Sequence, residues 1–271
     1  MYTIFKRLSA LGVFVFLFLD SAVFLSSGTL KSPEKYYLTP PAQVRIEKKI
    51  SEDEPYKNVN DSSEIISVIE EENKKVAYLT FDDGPSFNIT PQILDILNKY
   101  NIKATFFVLG CLAEIRPELI RMIHQEGHLI ANHTYSHNYR HIYSDVNNLV
   151  LEVQQTQRIL EEILGQELPK IMRFPSGAFD SKYEPYRQAL EKEGYTYFSW
   201  NVLNGDGEGK KYSKQGLVNR VKESNLGYKK AIVLMHDSNT KQTTVEALPA
   251  VIEYFIEEGY IFATLDSFEA K

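Results

Sequence analysis

Two adjacent carboxylates, Asp82 and Asp83, come directly after a short apolar run and directly before a turn. The run over 76–81 is rich in residue types that favour strands, and Gly84 with Pro85 ends it. Parallel α/β sheets and barrels bind ligands at the carboxyl ends of their strands. Because neighbouring strand residues point to opposite faces, we expect the two acids to have different roles. An Asx-turn that only closes a loop explains this segment by itself equally well.

His133 and His137 follow the third apolar run, in the segment H-T-Y-S-H. Residues four apart share one face of a helical turn, so we expect both imidazoles to reach one metal ion. With Asp83 they form a set of three protein ligands that leaves positions open, as catalytic zinc sites do. Surface histidine pairs without a ligand have this spacing at least as often by chance, so the spacing alone leaves both interpretations open.

Polar residues also follow three further apolar runs. Arg173 could keep a nearby carboxylate ionised, and the turn at Pro175 and Gly177 would expose backbone N–H groups suited to an oxyanion. The segments 200–206 and 234–236 end the next two runs. A lone histidine at a strand end is more often structural than catalytic. Five strands that deliver polar residues to one edge nevertheless indicate an active site.

Strand and helix patterns alternate along the chain from residue 76 to its end. This alternation predicts a parallel α/β arrangement, either a barrel or an open sheet, in one domain over 76–271. Strands are predicted over 76–81, 104–109, 129–131, 171–174, 195–200, 232–235 and 261–264, and helices over 90–100, 117–126, 145–164, 183–192, 213–224 and 243–258.

The first 75 residues have a different composition. A basic start at Lys6 and Arg7 precedes an apolar run over 8–19, which indicates a signal peptide or an uncleaved signal-anchor within 1–30. Residues 31–75 are dense in charged residues, proline and asparagine, which is typical of a solvated linker or stalk. We therefore expect an exported protein, secreted or anchored, that meets the membrane only through its N-terminal segment.

Composition excludes some classes of partner. A formal net charge of −6 without a compensating basic cluster argues against nucleic-acid binding. The single cysteine, Cys111, cannot form an internal disulfide and is interpreted as a packing residue. An exported chain without disulfides suits a bacterial cell surface. We expect the protein to be a monomer.

The segments T-F-D-D-G, H-T-Y-S-H, R-F-P-S-G and L-M-H, in this order, resemble the motifs of the polysaccharide deacetylases. This is the NodB-homology family, carbohydrate esterase family 4, and the resemblance covers 76–265. It implies a distorted, incomplete (β/α) barrel with about seven parallel strands. It also implies one divalent metal, zinc first and cobalt or nickel as alternatives, and a glycan polymer as substrate.

The resemblance further implies a role for each matching position. These roles are a catalytic base (Asp82), metal ligands (Asp83, His133 and His137), an arginine that holds the base (Arg173), an N–H that faces the oxyanion (Ser176), a general acid (His236), an aspartate that orients it (Asp206) and a lining residue for the acetyl methyl (Leu234).

The sequence departs from the family pattern at two positions. The family usually has tryptophan directly after the fourth-motif aspartate, where this chain has Gly207, and Trp200 is the candidate to replace that wall of the acetyl pocket. The family often has tyrosine where Ser176 stands, an exchange that leaves the backbone N–H in place.

These observations favour an exported, metal-dependent hydrolase that removes N-acetyl groups from cell-wall glycan, with peptidoglycan N-acetylglucosamine as the preferred substrate. Chitin oligomers and acetylxylan are alternative substrates. A wall-glycan-binding protein with weak or lost turnover, motivated by Gly207, and a metal amidase that cuts wall peptides are the other hypotheses.

Overall fold

The computed structural model describes residues 74–268, which form one sheet of parallel strands surrounded by helices. The strands are β1 (Lys75–Gly84), β2 (Thr105–Val108), β3 (Leu129–Asn132), β4 (Ile171–Met172), β5 (Thr196–Tyr197), β6 (Val202–Leu203), β7 (Lys230–His236) and β8 (Tyr260–Phe262). The helices are α1 (Ile89–Lys99), α2 (Gly110–Ile115), α3 (Pro117–Gln125), α4 (Tyr139–Ile142), α5 (Val146–Leu164), α6 (Glu184–Lys192), α7 (Lys214–Ser224) and α8 (Gln242–Glu257).

Strand β1 lies at the centre of the sheet. One of its edges pairs with β7 over residues 76–82, and its other edge is shared by β8 at the start and β2 at the end. Its side chains alternate between two apolar layers: Ala77, Leu79 and Phe81 pack against the helices, whereas Tyr78 belongs to the inner layer. This period of two places Thr80 and Asp82 on the inner face, which faces the interior of the curled sheet.

The sheet curls until its two ends nearly meet. Seven strands run in the order β5-β4-β3-β2-β1-β7-β6, yet β5 and β6 at opposite ends are consecutive in the chain. Only residues 198–201 connect them, a length that spans at most about 18 Å. The N–H of Phe198 still bonds to Met172 of β4, whereas the N–H of Asn201 bonds to Ile232 of β7. The connection therefore lies across the open seam of an incomplete barrel.

The predicted fold class is confirmed, with differences of detail at the seam. The run over 195–200 was predicted as one strand, but its ladder ends at Tyr197 because the chain then crosses to β7, where β6 is a separate short strand. Helices α2 and α4 were not predicted. Helix α5 matches the prediction closely: the Asp145 side chain accepts from the N–H of Asn147, and Gly165 ends the helix with a left-handed φ of 68°.

The predicted signal segment over 1–30 and nearly all of the predicted linker over 31–75 lie outside the described residues. Between residues 74 and 268, no helix combines the length and the apolar character needed to cross a bilayer.

Candidate active site

A pocket of about 410 Å³ opens at the carboxyl ends of the strands, and almost every candidate residue lines it. This volume is within the range of small-molecule sites, about 300–1,000 Å³. Its lining includes Asp82, Asp83, His133, His137, Ser176, Trp200, Asp206, Gly207, Leu234 and His236. Arg173 is the one candidate that is not part of the lining, because it lies fully buried beneath it.

Asp82 and Arg173 form a buried ion pair inside the barrel. Arg173 Nη1 donates to Asp82 Oδ1 at 2.8 Å and to the Thr80 hydroxyl at 2.7 Å. Its other nitrogens donate to the carbonyl groups of Phe198 and Ser199, in the seam. The guanidinium also lies 4.1 Å from the ring centroid of Phe107. Arg173 is thus held from several sides, and it fixes the orientation of the Asp82 carboxylate.

The charge of Asp82 depends on two opposing effects. Burial raises the pKa of this carboxyl group, and the positive charge of Arg173 lowers it, with a further lowering from His236. Burial is the larger effect, so the pKa lies above its ordinary value. Arg173 opposes this rise, and its ion pair with Asp82 at 2.8 Å is the kind of contact that the sequence predicted to favour the ionised carboxylate.

Asp83, His133 and His137 bring one ligand atom each to a common point, with all three atoms within 4.8 Å of one another. Asp83 Oδ1 lies 3.6 Å from His133 Nε2 and 3.4 Å from His137 Nε2. Ligand atoms of a tetrahedral site with bonds of about 2.0–2.1 Å lie about 3.3–3.4 Å apart. Within residues 74–268 the buried Asp83 Oδ1 has no hydrogen-bond partner. The three residues therefore fit a divalent metal ion.

The protonation of His133 also suits a ligand. Its Nδ1 lies 2.9 Å from the carbonyl oxygen of Arg173, which can only accept, so Nδ1 carries the proton and Nε2 presents a lone pair towards Asp83. Burial lowers the pKa of His133 to about 3, although the charge of Asp83 opposes this. The neutral imidazole is the form that binds a metal.

The backbone that presents these ligands differs from the expectation. Residues 133–138 form a loop and not a helical turn, and Thr134 and His137 have left-handed φ values of 70° and 56°. The helical reason given for the His-x3-His spacing is therefore wrong. Asp83 likewise has a φ of 72°, at a register shift in the β1–β2 ladder, so it lines the same pocket as Asp82 and does not point to the opposite face.

His236 and Asp206 form the second charged pair of the pocket. His236 Nδ1 lies 2.6 Å from Asp206 Oδ1, and the His236 N–H donates to Asp206 Oδ2 at 3.0 Å. Thr244 donates to the same Oδ2 at 2.7 Å. Burial lowers the pKa of His236, but the hydrogen bond and charge of Asp206 raise it by more, so the net pKa is above its ordinary value. Because Asp82 and His236 are register partners on β1 and β7, the two titratable groups are neighbours across the sheet.

The remaining candidates line the pocket wall. Ser176 has a left-handed φ of 62°, and its N–H donates no hydrogen bond to any other residue within 74–268. Leu234 is half-buried on β7, two residues before His236. Trp200 lies in the seam, with its ring edge-on to Phe179 at a centroid distance of 5.2 Å.

Gly207 lies directly against the imidazole of His236. A Cβ atom at this position would be 2.6 Å from His236 Cε1 and 3.2 Å from Nε2. The described position of the ring thus requires a glycine here. At Gly207, where the sequence departs from the family pattern, the main chain packs closely on the imidazole ring of His236.

Three further residues at the site were not predicted. Asp237 is fully buried; burial raises its pKa to about 8, and its carboxyl group accepts from the hydroxyl groups of Ser86 and Thr90 behind the Asp82–Asp83 turn. In the sequence, the only indication that Asp237 belongs to the site was its position directly after L-M-H. Lys241 donates to the Asp206 carbonyl at 2.7 Å, and Tyr139 packs against His137 with centroids 4.9 Å apart. Nothing in their local sequence indicated either contact.

The fold and the pocket together describe a hydrolase with a carboxylate and an imidazole beside a candidate metal site. The sequence profile described as polysaccharide deacetylase matches residues 69–198. A peptidoglycan-N-acetylglucosamine deacetylase of Bacillus cereus is 32% identical over 196 residues, which are 71% of this chain and 87% of the relative. The chain belongs to the polysaccharide deacetylase family, whose members hydrolyse N-acetyl amide bonds in glycans.

Two solved structures illustrate the range of similar proteins. A CE4 esterase from Streptococcus mutans has a TM-score of 0.67 at 31% identity, covering 73% of this chain and 90% of that one. A CE4 family pseudoenzyme from Bacillus anthracis has a TM-score of 0.62 at 27% identity, covering 72% and 65%. Since this fold also occurs in a pseudoenzyme, the case for turnover has to rest on the side chains of the pocket.

Proposed function

We propose that this protein is an exported, divalent-metal-dependent deacetylase that acts on the N-acetylglucosamine of peptidoglycan. The observation that carries the proposal is the arrangement of the pocket. The ligand set of Asp83, His133 and His137 lies beside Asp82 on β1, and His236 on β7 is the register partner of Asp82. Every position that the chemistry needs is filled.

Each residue has one task in amide hydrolysis. A divalent ion bound at Asp83, His133 and His137 would supply Lewis acidity, which polarises the acetyl carbonyl and acidifies water. Asp82, oriented by Arg173, accepts the proton of the attacking water. The Ser176 N–H donates to the oxygen that becomes negative as the carbonyl carbon turns tetrahedral.

The leaving group needs a proton, because an amide nitrogen is otherwise a poor leaving group. His236 in its protonated form donates that proton to the departing amine. Asp206 holds the imidazole through Nδ1 and favours the charged form, which leaves Nε2–H free to donate. Leu234 and Trp200 supply apolar surface for the acetyl methyl group.

The choice of substrate rests on the relatives and on the N-terminal sequence. Relatives that cover most of this chain are named for peptidoglycan N-acetylglucosamine. The basic and apolar start of the chain supports export to a bacterial surface, as a secreted or membrane-anchored protein. Zinc is the proposed metal, because two imidazoles and one carboxylate match a catalytic zinc site.

Acetate release tests the proposal directly. Purified peptidoglycan, chitin oligomers and acetylxylan are compared as substrates, with zinc, cobalt or nickel supplied to the metal-stripped protein. We expect acetate from peptidoglycan at the highest rate and none from the Asp82→Asn variant. Binding to wall glycan without acetate would instead identify a binding protein, and new peptide amines without acetate would identify an amidase. Release from chitin or acetylxylan alone would refute the peptidoglycan assignment.

A further inference from the structure

Glu152 lies on the neighbouring helix α5, and its side chain contacts the loop that carries the two histidines. Its side chain is buried, with only 6% of the residue exposed. Oε2 accepts from the backbone N–H groups of Tyr135 at 3.0 Å and Ser136 at 2.8 Å, and Oε1 accepts from the Ser136 hydroxyl at 2.6 Å. All three donors belong to the segment between His133 and His137.

This loop needs external support because its backbone is unfavourable. Thr134 and His137 both have left-handed φ values, which non-glycine residues rarely adopt. The Asn132 side chain accepts from the Thr134 N–H at 2.9 Å, and the Thr134 hydroxyl accepts from the His137 N–H at 3.3 Å. These bonds fix the two strained residues, whereas the two residues between them are fixed by Glu152.

We propose that Glu152 is a positioning residue for the metal site, which sets the separation of the two imidazoles through the loop backbone. The inference rests on the proposed function, since it needs a metal to bind there. Two successive N–H groups converge on one carboxylate oxygen, so the position of that oxygen fixes the loop between the ligands. Residues that orient metal ligands from behind typically change metal affinity by about 10–100-fold when they are lost.

The alternative role of Glu152 is its charge, because a carboxylate near the site attracts a dication. Two conservative variants separate position from charge. Glu152→Gln keeps an acceptor oxygen at the same place and can donate to the Ser136 hydroxyl, but it is neutral. Glu152→Asp keeps the charge but withdraws the oxygen by about one C–C bond length, roughly 1.5 Å.

The chain offers a matched control on the same helix. Glu161 is half-buried, and its Oε1 accepts from the Leu168 N–H at 3.2 Å and from the Gln157 side chain at 2.8 Å. Glu161→Ala therefore removes a similar carboxylate–loop contact that lies away from the histidines. A loss of stability without any effect at the metal site is the expected result for this variant.

The experiment measures dissociation constants of Zn²⁺ and Co²⁺ for the metal-stripped proteins by competition with a chromophoric chelator, together with the Co²⁺ absorption spectrum. Urea unfolding in chelator gives the stability of each apo form. We expect Glu152→Ala and Glu152→Asp to weaken metal binding about tenfold or more and to alter the cobalt spectrum. The metal dissociation constant of Glu152→Gln should stay within a few-fold of the parent value, and that of Glu161→Ala should equal the parent value.

Affinity that follows charge, with Gln weakened and Asp unchanged, would overturn the inference. So would unchanged affinity in both Ala and Asp variants, which would make Glu152 a purely structural residue. Failure of the parent protein itself to bind either metal would overturn the metal-dependent function and this inference with it. Acetate release by the parent protein is measured separately. If the parent protein releases acetate and Glu152→Ala binds metal as tightly as the parent, the inference about Glu152 is rejected and the proposed function stands.

Discussion

A single methyl group at Gly207 should disable the proposed general acid. The Cβ atom of Gly207→Ala would lie 2.6 Å from His236 Cε1, whereas ordinary contacts begin at 3.4 Å. The φ angle of Gly207 lies outside the left-handed region, so alanine suits the backbone and the whole effect comes from the contact. The imidazole has to move by about 0.8 Å, the difference between these two distances.

The expected size of the effect follows from that displacement. A misplacement of about 1 Å at a reacting group costs about 100-fold in rate. We therefore expect kcat to fall by about 10–100-fold, equivalent to about 1.4–2.7 kcal/mol of barrier. Asp206 holds the ring at Nδ1 with a 2.6 Å hydrogen bond, and we expect a displaced ring to lose the geometry of that bond. The pKa of His236 should then fall, and the alkaline limb of the pH profile should move to lower pH.

The assay is acetate release as a function of pH, with urea unfolding measured on the same samples. Gly209→Ala is the matched control in the same loop, because Gly209 has a φ of 72° but nothing lies within 4 Å of its Cβ position. This control should lose about 1 kcal/mol or more of stability through backbone strain and keep its activity. A Gly207→Ala protein with the parent kcat and an unmoved alkaline limb would refute the assignment of His236 as the acid.

Three further predictions concern the charged residues of the pocket. Asp206→Asn removes the partner that raises the pKa of His236 against burial, so the pH profile of kcat/KM should show an alkaline limb at lower pH; an unmoved limb would mean that Asp206 does not control the acid. Asp83→Ala should lose most of the bound metal while Asp82→Asn keeps the metal and loses activity, as measured by metal analysis and acetate release, and the reverse pattern would exchange their roles. Arg173→Ala should cost about 3–5 kcal/mol in urea unfolding, because it leaves Asp82 buried without its cation, and a cost below about 1 kcal/mol would contradict the buried pair.

Much of the fold could be predicted because the central strands are continuous apolar runs. Strand β1 is buried on both faces over residues 77–81, and this pattern is visible in the sequence. The seam could not be predicted in the same way. Residues 195–203 are all compatible with a strand, and only the closure of the barrel decides that the ladder stops at Tyr197 and restarts at Val202.

The candidate site shows the same division between local and distant information. The residue types of the pocket could be found because they lie at the carboxyl ends of strands or just after them. The conformation of the loop over 133–138 could not, since the two residues between its left-handed positions are held by Glu152, which is 16 residues away from Ser136 in the chain. Contact between Gly207 and His236 likewise joins a loop to the end of β7, and no local pattern connects the two.

The central position of β1 has a consequence for the order in which the parts of the protein fold. Of the strands between residues 74 and 268, β1 is synthesised first, yet the Thr80 hydroxyl bonds to Val233 of β7, 153 residues further along the chain. At roughly 5–20 residues per second, β1 waits roughly 8–30 s on the ribosome for this partner. Contacts of such long sequence separation also form slowly in refolding. Asp82 and His236 belong to the same pair of strands, so we expect acetate release to appear later in refolding than the first helical signal.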